Sequence, residues 1–260
     1  MNINMKDLAL EFYTAHKEKK NVELLSNRGI LIDEKSAYKI QEMVTNLKIQ
    51  DNHEEILGYK ISMTSEEMRK LGKSIEPAYG TFTSSSLANG TIQMNSNYQY
   101  LLEPELIFVL TEDLSLGASS DEIIQKSKLA AGLEIPMGRY ANWFPPSKGH
   151  TVGDTIADNT FAGFILPGEA IDIPDSIDWK NIKSTLYFND EILDEGYSSD
   201  VMGNPVNAVC WLSGKLAQKG KYLKRGMIVS SGTFTNPKIL KKGVYRVVYD
   251  LVGELTLNVE

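Results

Sequence analysis

The chain contains little of what disulfide or thiol chemistry needs. It has a single cysteine, Cys210, so no disulfide can form within the chain. Cys210 lies in "NAVCWLSGKLA", which we interpret as a buried helix face where a cysteine acts as a small hydrophobic residue. The three histidines, His16, His53 and His150, are all far from Cys210 in sequence. The sequence therefore does not indicate a cysteine nucleophile activated by a histidine.

The chain also lacks an excess of positive charge and a long apolar run. Its 27 lysine and arginine residues are outnumbered by 34 aspartate and glutamate residues, which gives a net charge of −7. This balance argues against nucleic acid or an anionic membrane as the main partner, because both require a basic surface. No apolar run approaches the length of about 20 residues that spans a bilayer. The N-terminal residues lack the apolar core of a signal peptide, so we expect a soluble, cytoplasmic protein.

The first 55 residues carry the spacing of helices. Leu8, Phe12 and Ala15 share one helical face, and apolar residues recur at helical spacing again after Ser36, which we predict to be an N-cap. We therefore expect a helical N-terminal segment over residues 1–55.

The rest of the chain is rich in predicted strands. Helical patterns over 119–132 and from Pro205 onward interrupt it, and Asn189-Asp190 is placed as a hairpin turn. The C-terminal residues alternate between apolar and polar, which predicts a half-buried β ribbon turned at Gly253. Residues 56–260 are therefore predicted to form one β-rich domain, continuous with the helical segment in an α+β fold.

Acidic side chains form the most suggestive pattern in the sequence. Glu103 and Glu105 open the predicted strand "LEPELIFVL", and residues two apart on a strand point to the same face. Glu134 opens the strand "LEIP", which follows the helical pattern, so three carboxylates would converge if the two strands were neighbours. Carboxylates without cysteine or histidine suit Mg²⁺ or Mn²⁺. On spacing alone, exposed acids at two unrelated strand ends remain the favoured alternative.

Two other segments offer candidate groups, each with a plain alternative. Lys60 lies in the short strand "GYKISM", where an inward lysine would be available for a substrate carboxylate or a proton, although a surface lysine is the commoner case. Ser231 and Gly232 end the buried strand "MIVSSGT", where a hydroxyl and backbone N–H groups could hold an anionic oxygen. A simple exit from strand to loop explains the same residues equally well.

The order of these segments resembles the 2-keto-4-pentenoate hydratase and 4-oxalocrotonate decarboxylase family of the fumarylacetoacetate hydrolase superfamily. The resemblance runs from about Gly58 to the C-terminus and rests on the segments "GYKISMTS", "EPAYGTF", "LEPELIFVL", "LEIPMGRYANW", "DTIADN", "GNPVNAVCWLSGKLAQKG" and "MIVSSGT". It implies a mixed β-roll for the catalytic domain and a lyase that acts on 2-oxo or 2-hydroxydienoate acids in aromatic-compound catabolism. It also implies a homo-oligomer.

The same resemblance implies roles for individual residues. The glutamates of its E-x-E motif and of the following strand hold a divalent metal, Mg²⁺ or Mn²⁺, and here these are Glu103, Glu105 and Glu134. The lysine of its G-[YFL]-K motif lines the active site, and here it is Lys60. A buried lysine beside a cation would have its pKa lowered toward neutrality, which suits a proton carrier.

Two departures from the family pattern bear on the reaction. The hydratases carry an acid in a P-D-[FY]-G motif, whereas this chain has Ala78 at that position, which we assign to the substrate-binding region. After "ADN" the family has Ala-Ser, whereas this chain has Thr160 and Phe161, and the phenylalanine would narrow the pocket.

Three functions are compatible with these residues. A hydratase of 2-hydroxy-2,4-dienoates is favoured by the long helix that starts after Asn204. A decarboxylase of 2-oxo-3-enedioates is favoured by Ala78, because the decarboxylases have an apolar residue there. The third possibility is a family member without catalytic activity that binds a 2-oxo acid or a protein partner.

Overall fold

A computed structural model of the chain describes residues 4–145 and 150–260. Within these ranges the fold is α+β, with two β-sheets and helices packed around them. The helices are α1 (Met5–Glu18), α2 (Glu34–Asn52), α3 (Glu66–Leu71), α4 (Ser120–Gln125), α5 (Val152–Ala157) and α6 (Pro205–Ala217). The strands are β1 (Ile56–Ser62), β2 (Ala78–Thr83), β3 (Thr91–Ile92), β4 (Leu101–Leu110), β5 (Ser127–Ile135), β6 (Phe164–Pro167), β7 (Lys183–Phe188), β8 (Glu191–Tyr197), β9 (Ile228–Thr233), β10 (Lys238–Ile239), β11 (Gly243–Tyr249) and β12 (Gly253–Val259).

The N-terminal segment contains the two predicted helices. Leu8, Phe12 and Ala15 of α1 are buried, because α1 packs on α2 along its apolar face. The predicted N-cap of α2 was wrong: Asp33 is the cap, and its carboxylate accepts from the backbone N–H of Ser36 at 2.7 Å. Residues 1–3 of the predicted segment lie outside the described residues, and the boundary at residues 55 and 56 stays a prediction. Among the described residues, no helix is both long and apolar enough to cross a membrane.

The larger sheet brings the candidate residues together. It has the order β2-β1-β9-β4-β5-β6, and β10 pairs with the outer end of β4. The predicted helix over 119–132 was too long, since α4 ends at Gln125 and β5 begins at Ser127. β5 pairs antiparallel with β4, and this pairing overrides the helix propensity of the alanines in "KLAAGLEI".

Alternation along four strands places one set of side chains on the same face of this sheet. Lys60 on β1 is in register with Ser230 on β9, and Glu103 on β4 lies directly opposite Glu134 on β5. A small apolar cluster lies beside them, contributed by these strands and their neighbours: Phe82, Ile107, Ala130, Ala162, Ile165 and Ile228. The charged groups therefore lie on strands beside a packed apolar cluster and not on a flexible loop.

The second sheet has the order β3-β12-β11-β7-β8 and confirms the two predicted turns. Asn189 and Asp190 join β7 to β8, and both have the positive φ that a tight hairpin of this hand requires. β11 and β12 form the predicted C-terminal ribbon, with Tyr245, Val247, Tyr249, Leu257 and Val259 buried. Leu251 departs from the alternation, because it lies exposed in the turn between the two strands.

Candidate active site

Three carboxylates meet where β4 and β5 pair. Glu103 and Glu105 lie on one face of β4, and Glu134 on β5 is the direct cross-strand neighbour of Glu103. One oxygen from each carboxylate lies within 4.8 Å of the other two. Glu134 and Glu105 are buried, and Glu103 is partly exposed. Like charges placed directly opposite each other destabilise a sheet unless a positive charge lies among them.

Lys60 supplies one such charge. It is 2% exposed, and its ammonium group forms an ion pair with the Glu134 carboxylate. The residue opposite it on β2 is Gly80, where a Cβ atom would lie 3.1 Å from Cγ of Lys60, so the glycine leaves room for the lysine stem. Burial alone would lower the pKa of Lys60, but Glu134, Glu103 and Glu105 together raise it above its ordinary value. The lowered pKa that we expected for Lys60 beside a cation stays a prediction.

A second pair of groups holds Glu105 in place. Its Oε2 atom accepts from the hydroxyl of Ser230 at 2.5 Å and from the backbone N–H of Gly232 at 2.8 Å. This is possible because the pairing of β4 with β9 contains a bulge: Ile107 is opposite Ser230, whereas Glu105 is opposite Thr233. Sequence analysis missed Ser230, since nothing in "VSSGT" shows where a bulge shifts the alternation.

The charges of this cluster fit a divalent cation. Three carboxylates and one ammonium group carry a net charge of −2 when all are ionised, so a divalent cation would neutralise them. Oε1 of Glu134 is paired with Lys60, whereas Oε2 has no hydrogen-bond partner among the described residues. Burial raises the pKa of Glu103 to about 7, with Lys60 opposing, and burial also raises the pKa of Glu105 and of Glu134. Hard oxygen donors without nitrogen or sulfur ligands suit such an ion.

Two cavities open from the carboxylates. The polar cavity is about 290 Å³ and contains Glu103 and Glu105 in its wall, with the acids Glu67, Asp194, Glu195 and Asp200 also lining it. The aromatic cavity is smaller, about 50 Å³. Its walls include Lys60, Leu101, Glu103, Trp143, Phe144, His150, Thr155, Thr160 and Phe161. The two cavities share Ser62, Met63, Met68, Glu103 and Pro237, so they adjoin at the carboxylates.

A strained turn forms one wall of the aromatic cavity. Asn159, Thr160 and Phe161 have φ values of 54°, 52° and 57°, a left-handed conformation that such residues rarely adopt in succession. The side-chain amide of Asn159 accepts from Thr81 N at 2.8 Å and donates to Thr81 O at 2.9 Å. Thr160 Oγ1 donates to the carbonyl oxygen of Tyr79 at 2.7 Å. Strain held by surrounding contacts in this way is typical of functional sites.

An ion pair anchors the start of that turn. Asp158 is buried against Arg139, accepting from its backbone N–H at 2.6 Å and from its guanidinium group. Burial raises the pKa of Asp158 to about 6, with Arg139 opposing the shift. These contacts have a structural role.

The remaining predicted residues lie nearby but are not part of the wall of either cavity. Ala78 is buried on β2, in register with Ser62 of β1, but it does not line the cavities as described. Ser231 is buried on β9, and its hydroxyl has no hydrogen-bond partner among the described residues. The N–H of Gly232 holds an anionic oxygen, that of Glu105. Substrate contacts for these three residues stay predictions.

Cys210 is only partly buried, and its thiol lies 3.4 Å from the hydroxyl of Ser120.

Sequence comparison finds hydratases. The chain is 30% identical over 249 residues to a 2-oxo-hept-4-ene-1,7-dioate hydratase of Escherichia coli, covering 93% of this chain and 92% of that protein. It is 28% identical over 225 residues to a 2-keto-4-pentenoate hydratase of Burkholderia vietnamiensis, covering 84% and 83%. No family model matches the chain.

Structure comparison confirms the predicted fold. A 4-oxalocrotonate decarboxylase from Pseudomonas putida, complexed with magnesium and adipate, superposes with a TM-score of 0.89 at 19% identity, covering 98% of this chain and 97% of that one. A fumarylpyruvate hydrolase from Pseudomonas aeruginosa, in complex with Mn²⁺ and pyruvate, gives a TM-score of 0.61 at 15% identity over 77% and 88% of the two chains.

Proposed function

We propose a hydratase reaction for this chain, which belongs to the 2-keto-4-pentenoate hydratase family of the fumarylacetoacetate hydrolase superfamily. The expected lyase is thereby confirmed, as is chemistry on small 2-oxo or 2-hydroxydienoate acids at the level of the family. The specific reaction that we propose is the addition of water to 2-hydroxypenta-2,4-dienoate or a close analogue with an uncharged tail.

We choose this substrate because of the residues that line the aromatic cavity. It adjoins the carboxylates, and its walls are largely apolar, with Trp143, Phe144 and Phe161 among them. Lys60 is the one lysine or arginine among the described residues that line it, and Glu134 already pairs with that lysine. A second carboxylate on the substrate would be desolvated there without a permanent counter-charge, which is costly. A short alkenyl tail fits the same walls.

The proposed metal ligands are Glu103, Glu105 and Glu134, and the proposed ion is Mg²⁺ or Mn²⁺. When bound, it would polarise the 2-oxo acid and stabilise negative charge that develops on the keto oxygen. Ser230 and Gly232 fix the Glu105 carboxylate by their two hydrogen bonds to Oε2. Preorganised ligands of this kind hold the substrate in one orientation toward Lys60.

Lys60 is the proposed proton carrier. Its ammonium group lies in the wall of the aromatic cavity, beside the carboxylates, where the reacting carbons of the substrate would be placed. The carbon skeleton must gain protons when the dienol becomes a ketone and again after water adds. An ammonium group that is buried and held by Glu134 is oriented to deliver them.

The experiment that tests the proposal is a substrate panel with metal-free and Mg²⁺-loaded protein. The panel contains 2-hydroxypenta-2,4-dienoate and diacids of the oxalocrotonate type, followed by ultraviolet loss, product identification and CO₂ release. Hydration of the monoacid that depends on Mg²⁺ supports the proposal. Release of CO₂ from the diacid would replace it with the decarboxylase function, which the absence of a carboxyl group at Ala78 favours. Metal binding without any turnover would favour the binding protein.

We also propose a homo-oligomer located in the cytoplasm. The edge strand β8 exposes Ile192, Leu193 and Tyr197, which are 62%, 41% and 48% exposed. An apolar sheet edge of this kind is a liability unless another chain covers it, which supports self-association. Light scattering coupled to size-exclusion chromatography tests this part, and a monomer at all concentrations would refute it.

A further inference from the structure

Hydration needs a base that removes a proton from the attacking water, and the groups described so far do not supply one. The three glutamates are the proposed metal ligands, and Lys60 is paired with Glu134. The acids of the polar cavity at Glu67, Glu195 and Asp200 are exposed. A carboxylate in water, with an ordinary pKa of about 4, is a weaker base than an imidazole, whose ordinary pKa is about 6.5.

His150 is the remaining titratable side chain among the described residues that line the aromatic cavity. It is 3% exposed, and its ring packs edge-on against Phe161 with the ring centres 5.6 Å apart. Nε2 lies 2.8 Å from the hydroxyl of Thr155, whereas Nδ1 has no hydrogen-bond partner among the described residues. A buried ring nitrogen without a partner is uncommon and calls for a ligand.

The neighbouring threonine indicates which nitrogen carries the proton. Thr155 Oγ1 lies 3.4 Å from the carbonyl oxygen of Thr151, which can only accept, so the threonine hydroxyl donates there. We assign the hydroxyl as the donor in that contact, which makes it the acceptor of Nε2–H of His150 at 2.8 Å. In this tautomer Nδ1 is unprotonated, and its lone pair has no hydrogen-bond partner among the described residues.

Burial favours the neutral form of the ring. Burial lowers the pKa of His150, Asp154 opposes this, and Lys73 adds to it. A neutral imidazole with one free lone pair in a cavity wall is a competent general base.

We propose that Nδ1 of His150 is the general base that activates water for addition to the substrate. This inference rests on the proposed hydratase function. Water forms a C–O bond at C4 of the 2-oxo-3-enoate, one of its O–H bonds breaks, and that proton goes to Nδ1. The electron pair of the C3–C4 double bond shifts toward the keto group to give an enolate, C3 takes a proton from Lys60, and solvent carries the imidazolium proton back to the lysine. The net change is the addition of one water molecule.

His150→Gln tests this role, because glutamine keeps polarity and approximate size and removes the base. Two steps are measured separately on 2-hydroxypenta-2,4-dienoate with Mg²⁺: ketonisation, by ultraviolet loss and deuterium uptake in D₂O, and hydration, by the amount of 4-hydroxy-2-oxo acid formed. Hydration should fall by roughly 10², while ketonisation and Mg²⁺ affinity stay at the parent level. Added imidazole should restore part of the hydration.

Two further variants keep the test sharp. Thr155→Val removes the hydroxyl that selects the tautomer, and it should reduce hydration by roughly 10-fold, a smaller loss than that of the base itself. His53→Asn is the matched control, because His53 is exposed at the end of α2, and it should leave both steps unchanged. If His150→Gln does not fold, the split between the two steps in Thr155→Val decides.

The outcomes distinguish a failure of the proposed hydratase function from a failure of the proposed role of His150. A parent protein that hydrates no member of the panel refutes the proposed function. A parent that hydrates while His150→Gln hydrates within two-fold of it refutes the role of His150 alone. A parallel fall of ketonisation and hydration in His150→Gln also refutes it, because a purely structural histidine would lower both.

Discussion

Replacing Lys60 with methionine should lower both the stability of the protein and its turnover, and Mg²⁺ should restore much of the stability but not the turnover. Methionine keeps most of the stem and removes the ammonium group. Lys60 is 2% exposed and Glu134 is fully buried, so the substitution leaves three carboxylates crowded together without their lysine. From the sequence, the short strand offered Lys60 no evident structural role, but the ion pair gives it one.

The size of the effect follows from that burial. Breaking a buried ion pair by removing one partner costs about 3–5 kcal/mol. An unfolding entropy of about 2.1 cal/mol/K per residue gives roughly 0.55 kcal/mol/K for a chain of 260 residues. The melting temperature of the metal-free variant should therefore fall by about 5–9 °C. Saturating Mg²⁺ should recover much of that loss, because a divalent cation among the carboxylates replaces the missing positive charge.

The assay is thermal unfolding with and without Mg²⁺, together with turnover of the best substrate. Turnover of Lys60→Met should fall by about 10² or more even in Mg²⁺, because the proton carrier is lost. Lys70→Met is the matched control: Lys70 pairs with Glu66 at 2.6 Å on an exposed helix face, and its loss should change neither quantity measurably. An unchanged melting temperature for the metal-free Lys60→Met would show that the lysine does not neutralise the buried carboxylates. Full turnover would rule out the proton-carrier role.

Three further substitutions test other parts of the site. Glu105→Gln should weaken Mg²⁺ binding in calorimetry, because a neutral amide is a poorer ligand for a hard cation. If this variant and the equivalent variants of Glu103 and Glu134 all bind Mg²⁺ as tightly as the parent protein does, the three glutamates are not the metal ligands. Ala78→Asp should raise the ratio of hydrated product to CO₂, since a carboxylate beside Ser62 repels a second substrate carboxylate; an unchanged ratio would show that this position does not divide the two reactions. Gly132→Ala should lower the melting temperature, since a Cβ there would lie 2.7 Å from Cδ1 of Ile107, and overpacking costs about 1–3 kcal/mol; an unaltered melting temperature would mean that the neighbouring strands shift easily.

The parts of the fold that sequence analysis predicted well are those with a local pattern. The hairpin turn at Asn189-Asp190 and the alternation from Tyr245 to Val259 depend on residues that are adjacent in sequence, so both were readable. The strand β2 was not readable, because its strand conformation comes from pairing with β1. β5 was partly mistaken for helix for the same reason, since its strand structure depends on β4.

For the candidate site, too, the sequence predicted what depends on local spacing and missed what depends on long-range contacts. Glu103 and Glu105 could be placed on one face from their spacing, but their proximity to Glu134 needed the β4–β5 register or a family resemblance. Ser230 was missed because a bulge determines its position, and His150 because an isolated histidine beside a loop has no pattern. What remained hidden from the sequence is long-range: the register between strands and the depth at which a side chain is buried.

The bulge between β4 and β9 has a consequence for how this enzyme can vary over evolution. It frees the N–H of Gly232 from the regular ladder, and that N–H then holds the same oxygen of Glu105 as the Ser230 hydroxyl does. A point mutation can delete the hydroxyl but not the backbone group, so the carboxylate keeps one of its two donors through any change at position 230. Insertion or deletion of a single residue in β9 would instead move both donors at once. Homologous sequences should therefore tolerate substitution in this strand far better than a change in its length.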